Sequence, residues 1–256
     1  MGRRIIDLSV AIENHATEPH PPEITYFDHR AGARRLGAMA GVEPSDFPEG
    51  MALASEVITL RTHNGTHVDA PWHYGPTSGK DPARAIDEVP LDWLYGPGVV
   101  LDFRDVEPAS EIGLDQVKVA LDAIGHRLEE EDKVLLNTGT DRYWGSHKYT
   151  AMHPGLSREA TKYILDQGVK AIGIDAWGLD RPVPKMAEAW SQGRKEALWP
   201  SHFFGRTKEY AMIEKLAHLD TIPTPTGFLF SALPVKIEHA SAGWCRAVAI
   251  VEEDGE

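Results

Sequence analysis

The sequence predicts an α/β or α+β protein with a largely β core, and we expect the α/β class. Three observations predict it: several short segments rich in apolar and β-branched residues, two longer segments with apolar residues at helical spacing, and no Ser/Gly-rich or charge-rich linker dividing the 256 residues. A chain of this length fits one or two ordinary domains. We therefore expect a single domain over residues 1–256, with an N-terminal arm or loop excursion at 13–50.

The first predicted elements are two strands on either side of that excursion. Arg4–Ile12 and Ser55–Arg61 each carry enough alternating apolar residues for a strand. Between them, scattered glycines and five prolines predict irregular structure: Pro19, Pro21, Pro22, Pro44 and Pro48. Loops of this length are usually functional or disordered, so a substrate lid or subunit contact and a merely irregular loop both stay open.

The remaining predicted elements alternate between strands and helices. An apolar stripe indicates a helix at Asp115–Leu128, and Ser157 is a good N-cap for a second helix that runs to Gln167. The predicted strands are Val99–Phe103, Val134–Asn137, Lys170–Asp175, Gly227–Ile237 with an interruption at Pro234, and Trp244–Val251.

Composition and charge exclude several classes of protein. The net charge of −13 repels a polyanion and argues against nucleic-acid binding. The single cysteine, Cys245, excludes an internal disulfide and Cys-based zinc or iron–sulfur sites, and we expect it to be inert in a buried strand. No apolar run approaches the ~18 residues that span a bilayer, and the N-terminus lacks the apolar stretch of a signal peptide. A cytoplasmic protein that does not bind membranes is expected.

The histidines are unevenly distributed. Three of the twelve, His63, His67 and His73, fall within eleven residues, where an even distribution would place fewer than one. Gly65 argues against a helix and favours a strand with a tight turn, which would bring the first two rings together. Asp69 lies two residues beyond His67, so both side chains would point the same way in extended chain. A lone histidine beside a turn is usually a surface residue, but this cluster favours a site for zinc, manganese or iron.

The same segment resembles the HxGTHxDxPxH signature of the metal-dependent cyclase family, which includes bacterial kynurenine formamidases and isatin hydrolases. Every fixed position is present: His63, Gly65, Thr66, His67, Asp69, Pro71 and His73.

The resemblance continues along the chain. His202 and Glu214, twelve residues apart, resemble the later segment that completes the family's metal site, and the isatin-hydrolase branch carries glutamine at the Glu214 position. Asp175 and Leu233–Ile237 also resemble family landmarks. The excursion at 13–50 and an insert around Pro182–Trp199 do not align.

The resemblance implies a swivelling β/β/α-type fold and a homo-oligomer, a dimer or tetramer, whose arm reaches the neighbouring site. It implies that His63, His67 and Asp69 are metal ligands and that Asp69 bridges to a second ion held by His202 and Glu214. One or two divalent ions, zinc or manganese, would then bind per chain. His73 would be the acid/base that works beside a metal-bound hydroxide. No GxSxG nucleophile motif is present in the sequence.

The function expected from these residues is hydrolysis of an amide or formamide bond in a small aromatic molecule, as in kynurenine formamidase. Trp72 or Trp177 would form an apolar wall for the substrate ring. A cyclic imide or lactone hydrolase, or a ring-closing cyclase, would use the same site chemistry and stays open. From other classes, a non-haem iron oxygenase shares the two-histidine-one-carboxylate set, and a non-catalytic metal-binding module is a further alternative.

Overall fold

The computed structural model describes residues 2–13 and 18–253. The chain forms two compact units: one comprises Met1–Ala11 and Thr62–Glu256, and the other comprises Ile12–Arg61. The predicted single domain over 1–256 stays a prediction.

The described residues form fifteen strands and seven α-helices. The strands are β1 (Gly2–Asp7), β2 (Glu23–Phe27), β3 (Ser55–Thr59), β4 (His67–Asp69), β5 (Thr77–Ser78), β6 (Asp81–Pro82), β7 (Tyr95–Asp102), β8 (Glu111–Ile112), β9 (Lys133–Asn137), β10 (Gly155–Leu156), β11 (Ala171–Ile174), β12 (Ala211–Glu214), β13 (Phe228–Ser231), β14 (Ala242–Trp244) and β15 (Val248–Glu253). The helices are α1 (His29–Ala40), α2 (Pro71–Tyr74), α3 (Leu114–Ala123), α4 (Lys148–Met152), α5 (Arg158–Asp166), α6 (Val183–Ser191) and α7 (Pro200–Phe204).

The larger unit is built on a nine-stranded mixed sheet. Its strand order is β1-β15-β13-β7-β9-β11-β12-β4-β14. The central strands β7, β9, β11 and β12 are parallel, and each connection between them contains at least one helix, as parallel neighbours require. The strands on both sides of this centre pair antiparallel. The predicted α/β class is confirmed.

Alternation along the central strands gives the sheet two apolar faces. Leu101 and Leu136 belong to one buried cluster, which also contains apolar residues of α3 and α5. Val100 and Leu135, one position away on the same strands, belong to a second cluster that includes Phe230 of β13. Successive side chains of a strand point to opposite faces, so these short apolar segments fill two cores at once. Because both faces of the sheet are buried, the sequences of these strands are continuously apolar and do not alternate with polar residues.

The two predicted helices are present with shifted ends. Helix α3 ends at Ala123, earlier than predicted, and Gly125 beyond it adopts a φ of 64°. Ser157 caps α5 as expected, because its Oγ accepts a hydrogen bond from the Ala160 backbone N at 3.0 Å.

Three strand predictions are wrong in extent. The strand predicted over Gly227–Ile237 ends at Ser231, before the predicted interruption at Pro234. The strand predicted over Arg4–Ile12 ends at Asp7. The strand predicted over Trp244–Val251 is divided between β14 and β15, and between them Cys245 forms an isolated bridge with Pro234. Burial raises the pKa of the Cys245 thiol to about 12, which agrees with an inert cysteine.

The excursion at 13–50 is more regular than predicted. Its described residues include β2, which pairs with β3, and the twelve-residue helix α1. Gly32 and Gly37 lie inside α1 and lower its helix propensity. For this reason the sequence pattern did not predict a helix there. A Cβ at Gly32 would lie 2.1 Å from the carbonyl oxygen of Leu53, so glycine is needed for this close approach. The part of the excursion at 14–17 lies outside the described residues.

Across residues 2–13 and 18–253, no helix is both long enough and apolar enough to cross a membrane.

Candidate metal centre

The histidine-rich segment folds as a turn, a short strand and a short helix. Gly65 has a φ of 61°, which allows the turn that leads into β4. His67 and Asp69 occupy alternate positions of β4, so their side chains share one face of the sheet, as predicted. Pro71 begins α2 at a position where its missing N–H costs nothing, and this helix carries His73 in its single turn.

Two other elements bring in the residues from later in the chain. Strand β12 pairs antiparallel with β4, and Glu214 lies directly opposite His67. Residues opposite each other in an antiparallel pair place their side chains on the same face. Helix α7 carries His202. The structure therefore brings together all six residues that the sequence singled out for the metal and its acid/base.

Asp69 is the centre of this cluster. Its Oδ1 lies 2.8 Å from His63 Nδ1 and 3.2 Å from His67 Nε2. Its Oδ2 lies 3.8 Å from His202 Nε2 and 3.9 Å from His73 Nε2. One carboxylate therefore faces four imidazoles.

Glu214 supplies a second carboxylate on the same side. Its Oε2 lies 3.6 Å from His67 Nε2, and its Oε1 lies 3.6 Å from His202 Nε2. Burial raises the pKa of Glu214, and the negative charge of Asp69 adds to that effect. Burial acts the same way on Asp69, but the neighbouring histidines outweigh it and hold the pKa of Asp69 well below its usual range.

The tautomer of His67 shows which of its nitrogens could bind a cation. Its Nδ1 lies 2.9 Å from the carbonyl oxygen of Gly65. A carbonyl oxygen only accepts hydrogen bonds, so Nδ1 carries a proton, and in the neutral ring Nε2 then carries the lone pair. This Nε2 is buried and makes no hydrogen bond with any described residue. A buried lone pair facing two carboxylates is a good fit to a divalent cation.

Two sets of ligand atoms lie close enough to hold an ion. One set comprises His63, Asp69 and His73, and the other comprises His67, Asp69 and Glu214. All these ligands are nitrogen or oxygen, which suits zinc, manganese or iron. Asp69 belongs to both sets. The grouping differs from the predicted one, because His73 stands with His63 in the first set and His202 lies in neither. The residues present therefore fit a divalent metal.

His73 and His63 are the partly exposed histidines of the cluster. Their side chains are 33% and 31% exposed, whereas those of His67 and Asp69 are fully buried. The ring of His73 lies 4.3 Å from that of His63 and 5.4 Å from that of His202, measured between centroids. Partial burial lowers the pKa of His73 to about 4, an effect larger than the opposing attraction of Asp69. A neutral imidazole therefore stands at the open side of the cluster.

The two tryptophans proposed as a substrate wall lie beside the cluster in sequence. Trp72 precedes His73 on α2 and is 46% exposed. Trp177 lies in the loop after β11, one residue before Gly178, where a Cβ would come within 3.4 Å of Glu214 Oε1.

Two supporting residues were not predicted from the sequence. Asp180 accepts a hydrogen bond from His202 Nδ1 at 2.6 Å. Lys215 is buried, adopts a φ of 59° and donates from Nζ to the carbonyl oxygen of His63 at 2.7 Å. The lysine directly after Glu214, within an apolar segment, is the sequence signal that could have indicated such a role, whereas Asp180 resembles an ordinary loop residue.

Asp175, which resembles a landmark of the family, belongs to neither set of possible metal ligands. It is buried at the end of β11 and accepts hydrogen bonds from Thr138 N, Thr138 Oγ1 and Gly139 N. It thereby ties β11 to the turn that follows the neighbouring strand β9. Burial outweighs these hydrogen bonds and raises the pKa of Asp175 to about 7.

This raised pKa predicts a pH-dependent stability. The unfolded chain releases the Asp175 proton near 3.8, whereas the folded chain holds it until about 7. We therefore expect the free energy of unfolding of the wild type to fall relative to Asp175→Asn between those values and to level off above them. Urea unfolding of both proteins from pH 4 to pH 8 measures the difference. A difference that is constant with pH would contradict this account.

Comparison with known proteins agrees with the geometry. Residues 6–181 match the model of the family described as "Putative cyclase". The chain is 30% identical over 194 residues to kynurenine formamidase of Erythrobacter litoralis, covering 75% of this chain and 74% of that protein. It is 27% identical over 214 residues to isatin hydrolase of Roseibium aggregatum, covering 79% of this chain and 77% of that protein. The crystal structure of an isatin hydrolase bound to the product analogue thioisatinate superposes with a TM-score of 0.77 at 22% identity, covering 98% of this chain and 93% of that one.

Together with the cluster of histidines and carboxylates, these similarities show that the protein is a metal-dependent hydrolase. The family model spans more than half of the sequence, and the chain belongs to the cyclase family. The family predicted from the HxGTHxDxPxH signature is confirmed, and the fold is shared with the isatin hydrolase structure.

Proposed function

We propose that this protein hydrolyses the C–N bond of an aryl formamide. The observation that carries this proposal is a neutral histidine, His73, at the open side of a buried cluster that fits a divalent cation. The 30% identity to kynurenine formamidase of Erythrobacter litoralis supports a formamide over other acyl groups.

The proposed cofactor is zinc or manganese, with one or two ions per chain. His63, His67 and Asp69 would hold one ion, and Asp69, His202 and Glu214 would hold a second. A divalent ion at such a site lowers the pKa of a coordinated water and polarises a carbonyl group.

His73 would handle the proton in this reaction. Its Nε2 would take a proton from the attacking water as the water oxygen bonds to the formyl carbon. The same nitrogen would return that proton to the leaving nitrogen as the C–N bond breaks. Formate and an aryl amine would result. Trp177 and Trp72 would contact the aromatic ring of the substrate.

A comparison of substrates tests this proposal. Purified protein loaded with zinc or manganese would be assayed by absorbance with N-formylkynurenine, isatin and an aryl lactone. We expect N-formylkynurenine to be hydrolysed about a hundredfold more efficiently than the other two. Hydrolysis of isatin or the lactone alone would replace the formamide proposal with a ring-opening one. In the same assay, Trp177→Ala should raise KM, while Trp190→Ala, at an exposed position on α6, serves as the control.

We also propose that the protein works as a cytoplasmic homo-oligomer. The two-stranded sheet of β2 and β3, in the unit formed by Ile12–Arg61, carries exposed apolar side chains on both faces: Tyr26 and Ile58 on one, and Val57 on the other. Exposed apolar residues that lie together are typical of an interface between protein chains. Sedimentation analysis would give a dimer or tetramer, and a monomer at micromolar concentration would contradict this. The single cysteine suits a reducing compartment, which cell fractionation would check.

A further inference from the structure

The loop after β11 contacts both ligands proposed for the second ion. The backbone N of Leu179 donates to Glu214 Oε1 at 3.3 Å. The next residue, Asp180, accepts from His202 Nδ1 at 2.6 Å. Two adjacent residues therefore fix the directions of Glu214 and His202.

Asp180 is itself held in place. It is 3% exposed, and its Oδ1 accepts a hydrogen bond from the backbone N of Ser201 at 2.7 Å. Its Oδ2 accepts from the backbone N of His202 at 3.3 Å in addition to the imidazole. Gly155 also packs closely against the backbone of this loop, because a Cβ at Gly155 would lie 2.4 Å from the carbonyl carbon of Asp180. The carboxylate is thus fixed before any ligand binds.

The contact with Asp180 fixes the tautomer that His202 adopts in the neutral form, which is the form that binds a metal ion. A carboxylate accepts hydrogen bonds, so Nδ1 of His202 carries a proton, and Nε2 is the nitrogen that faces Asp69 Oδ2 and Glu214 Oε1 at 3.8 and 3.6 Å. Orientation of a ligand histidine through its other nitrogen raises metal affinity. A loose or reversed imidazole would present an N–H to the site in place of a lone pair.

We propose that Asp180 is a positioning residue that holds His202 Nε2 toward Asp69 and Glu214 and thereby sets the affinity for the second cation. This inference rests on the proposed function, because it assumes that His202 and Glu214 hold an ion. It concerns metal affinity, however, and is tested without any substrate.

The test compares zinc binding by wild type and Asp180→Asn. Asparagine has one acceptor oxygen in place of two, so either Ser201 N or the His202 imidazole loses its partner. Metal-free proteins would be titrated with zinc in competition with a chromophoric chelator. We expect the weaker equivalent of zinc to bind tenfold to a hundredfold less tightly, and the stronger equivalent to be unchanged within about threefold.

A matched control is available at the other end of the sheet. Asp132 is also buried and accepts from the ring of His126 at 2.8 Å and from the backbone N of Glu129 at 2.8 Å. It lies just before β9, whereas Glu214 lies at the carboxyl end of β12, and β11 runs parallel to both strands. Asp132→Asn should therefore remove a comparable buried contact without changing either zinc affinity.

The possible outcomes separate this inference from the proposed function. Selective weakening of the second equivalent supports the role of Asp180. The inference is overturned if Asp180→Asn binds zinc as tightly as wild type at every equivalent, or if both equivalents weaken alike. Binding of a single equivalent by wild type with no change in Asp180→Asn would also overturn it. Failure of loaded wild type to hydrolyse an aryl formamide would instead refute the proposed function.

Discussion

Replacement of His73 by alanine is expected to lower kcat by about 10²–10⁴-fold with little change in KM. The reason is that His73 is a partly exposed member of the cluster whose pKa is lowered to about 4, so its ring is unprotonated at neutral pH and has a lone pair available for a proton. Loss of a group that acts only on proton transfer reduces turnover more than substrate binding. Steady-state kinetics on an aryl formamide measures both constants.

The control for this variant removes a histidine from the surface. His147 is exposed, and its alanine variant should keep wild-type kinetics. If His73→Ala hydrolysed the substrate at the wild-type rate, the assignment of His73 as the acid/base would be wrong. A large rise in KM with unchanged kcat would instead make His73 a substrate-binding residue.

Replacement of Asp69 by asparagine is expected to weaken metal binding by about a hundredfold or more and to abolish measurable turnover. Asp69 faces four histidine rings, with its nearest contacts to His63 Nδ1 at 2.8 Å and to His67 Nε2 at 3.2 Å. Asparagine keeps the shape but loses the negative charge and one ligand oxygen. Metal content after dialysis measures the loss of metal binding, and the formamide assay measures the loss of turnover.

Two further variants serve as controls for the effect of Asp69→Asn on metal binding and turnover. Asp69→Glu retains the charge at a different distance and should recover part of the metal affinity. Asp102→Asn changes an exposed aspartate paired with Arg104 and should alter neither property. Wild-type metal content in Asp69→Asn would contradict the proposed ligand set.

The first part of the site could be predicted because its geometry is local. His67 and Asp69 alternate along a single strand, and Gly65 permits the turn before it, so the spacing in the sequence determines which side chains meet. The roles of His202 and Glu214 depended on the resemblance to the family. Their approach to β4 results from strand pairing and from α7, which no local pattern encodes.

The parts that were not predicted depend on contacts between distant segments. Asp180 meets His202 across 22 residues, through a loop in which an aspartate is unremarkable by composition. Helix α1 was missed because its glycines disfavour a helix in isolation, while Gly32 is required by the close approach of the Leu53 backbone. In both places the tertiary structure overrides what the local sequence favours.

In the proposed function, one cluster divides into residues that hold metal and a residue that moves a proton. The most direct test is the metal content of His73→Ala and Asp69→Asn, measured side by side after the same zinc loading and dialysis. We expect His73→Ala to retain as much zinc as the wild type and Asp69→Asn to retain less than about a tenth of it. Equal zinc loss from both variants would make His73 a ligand, in line with its proximity to His63 and Asp69, and would contradict this division of roles.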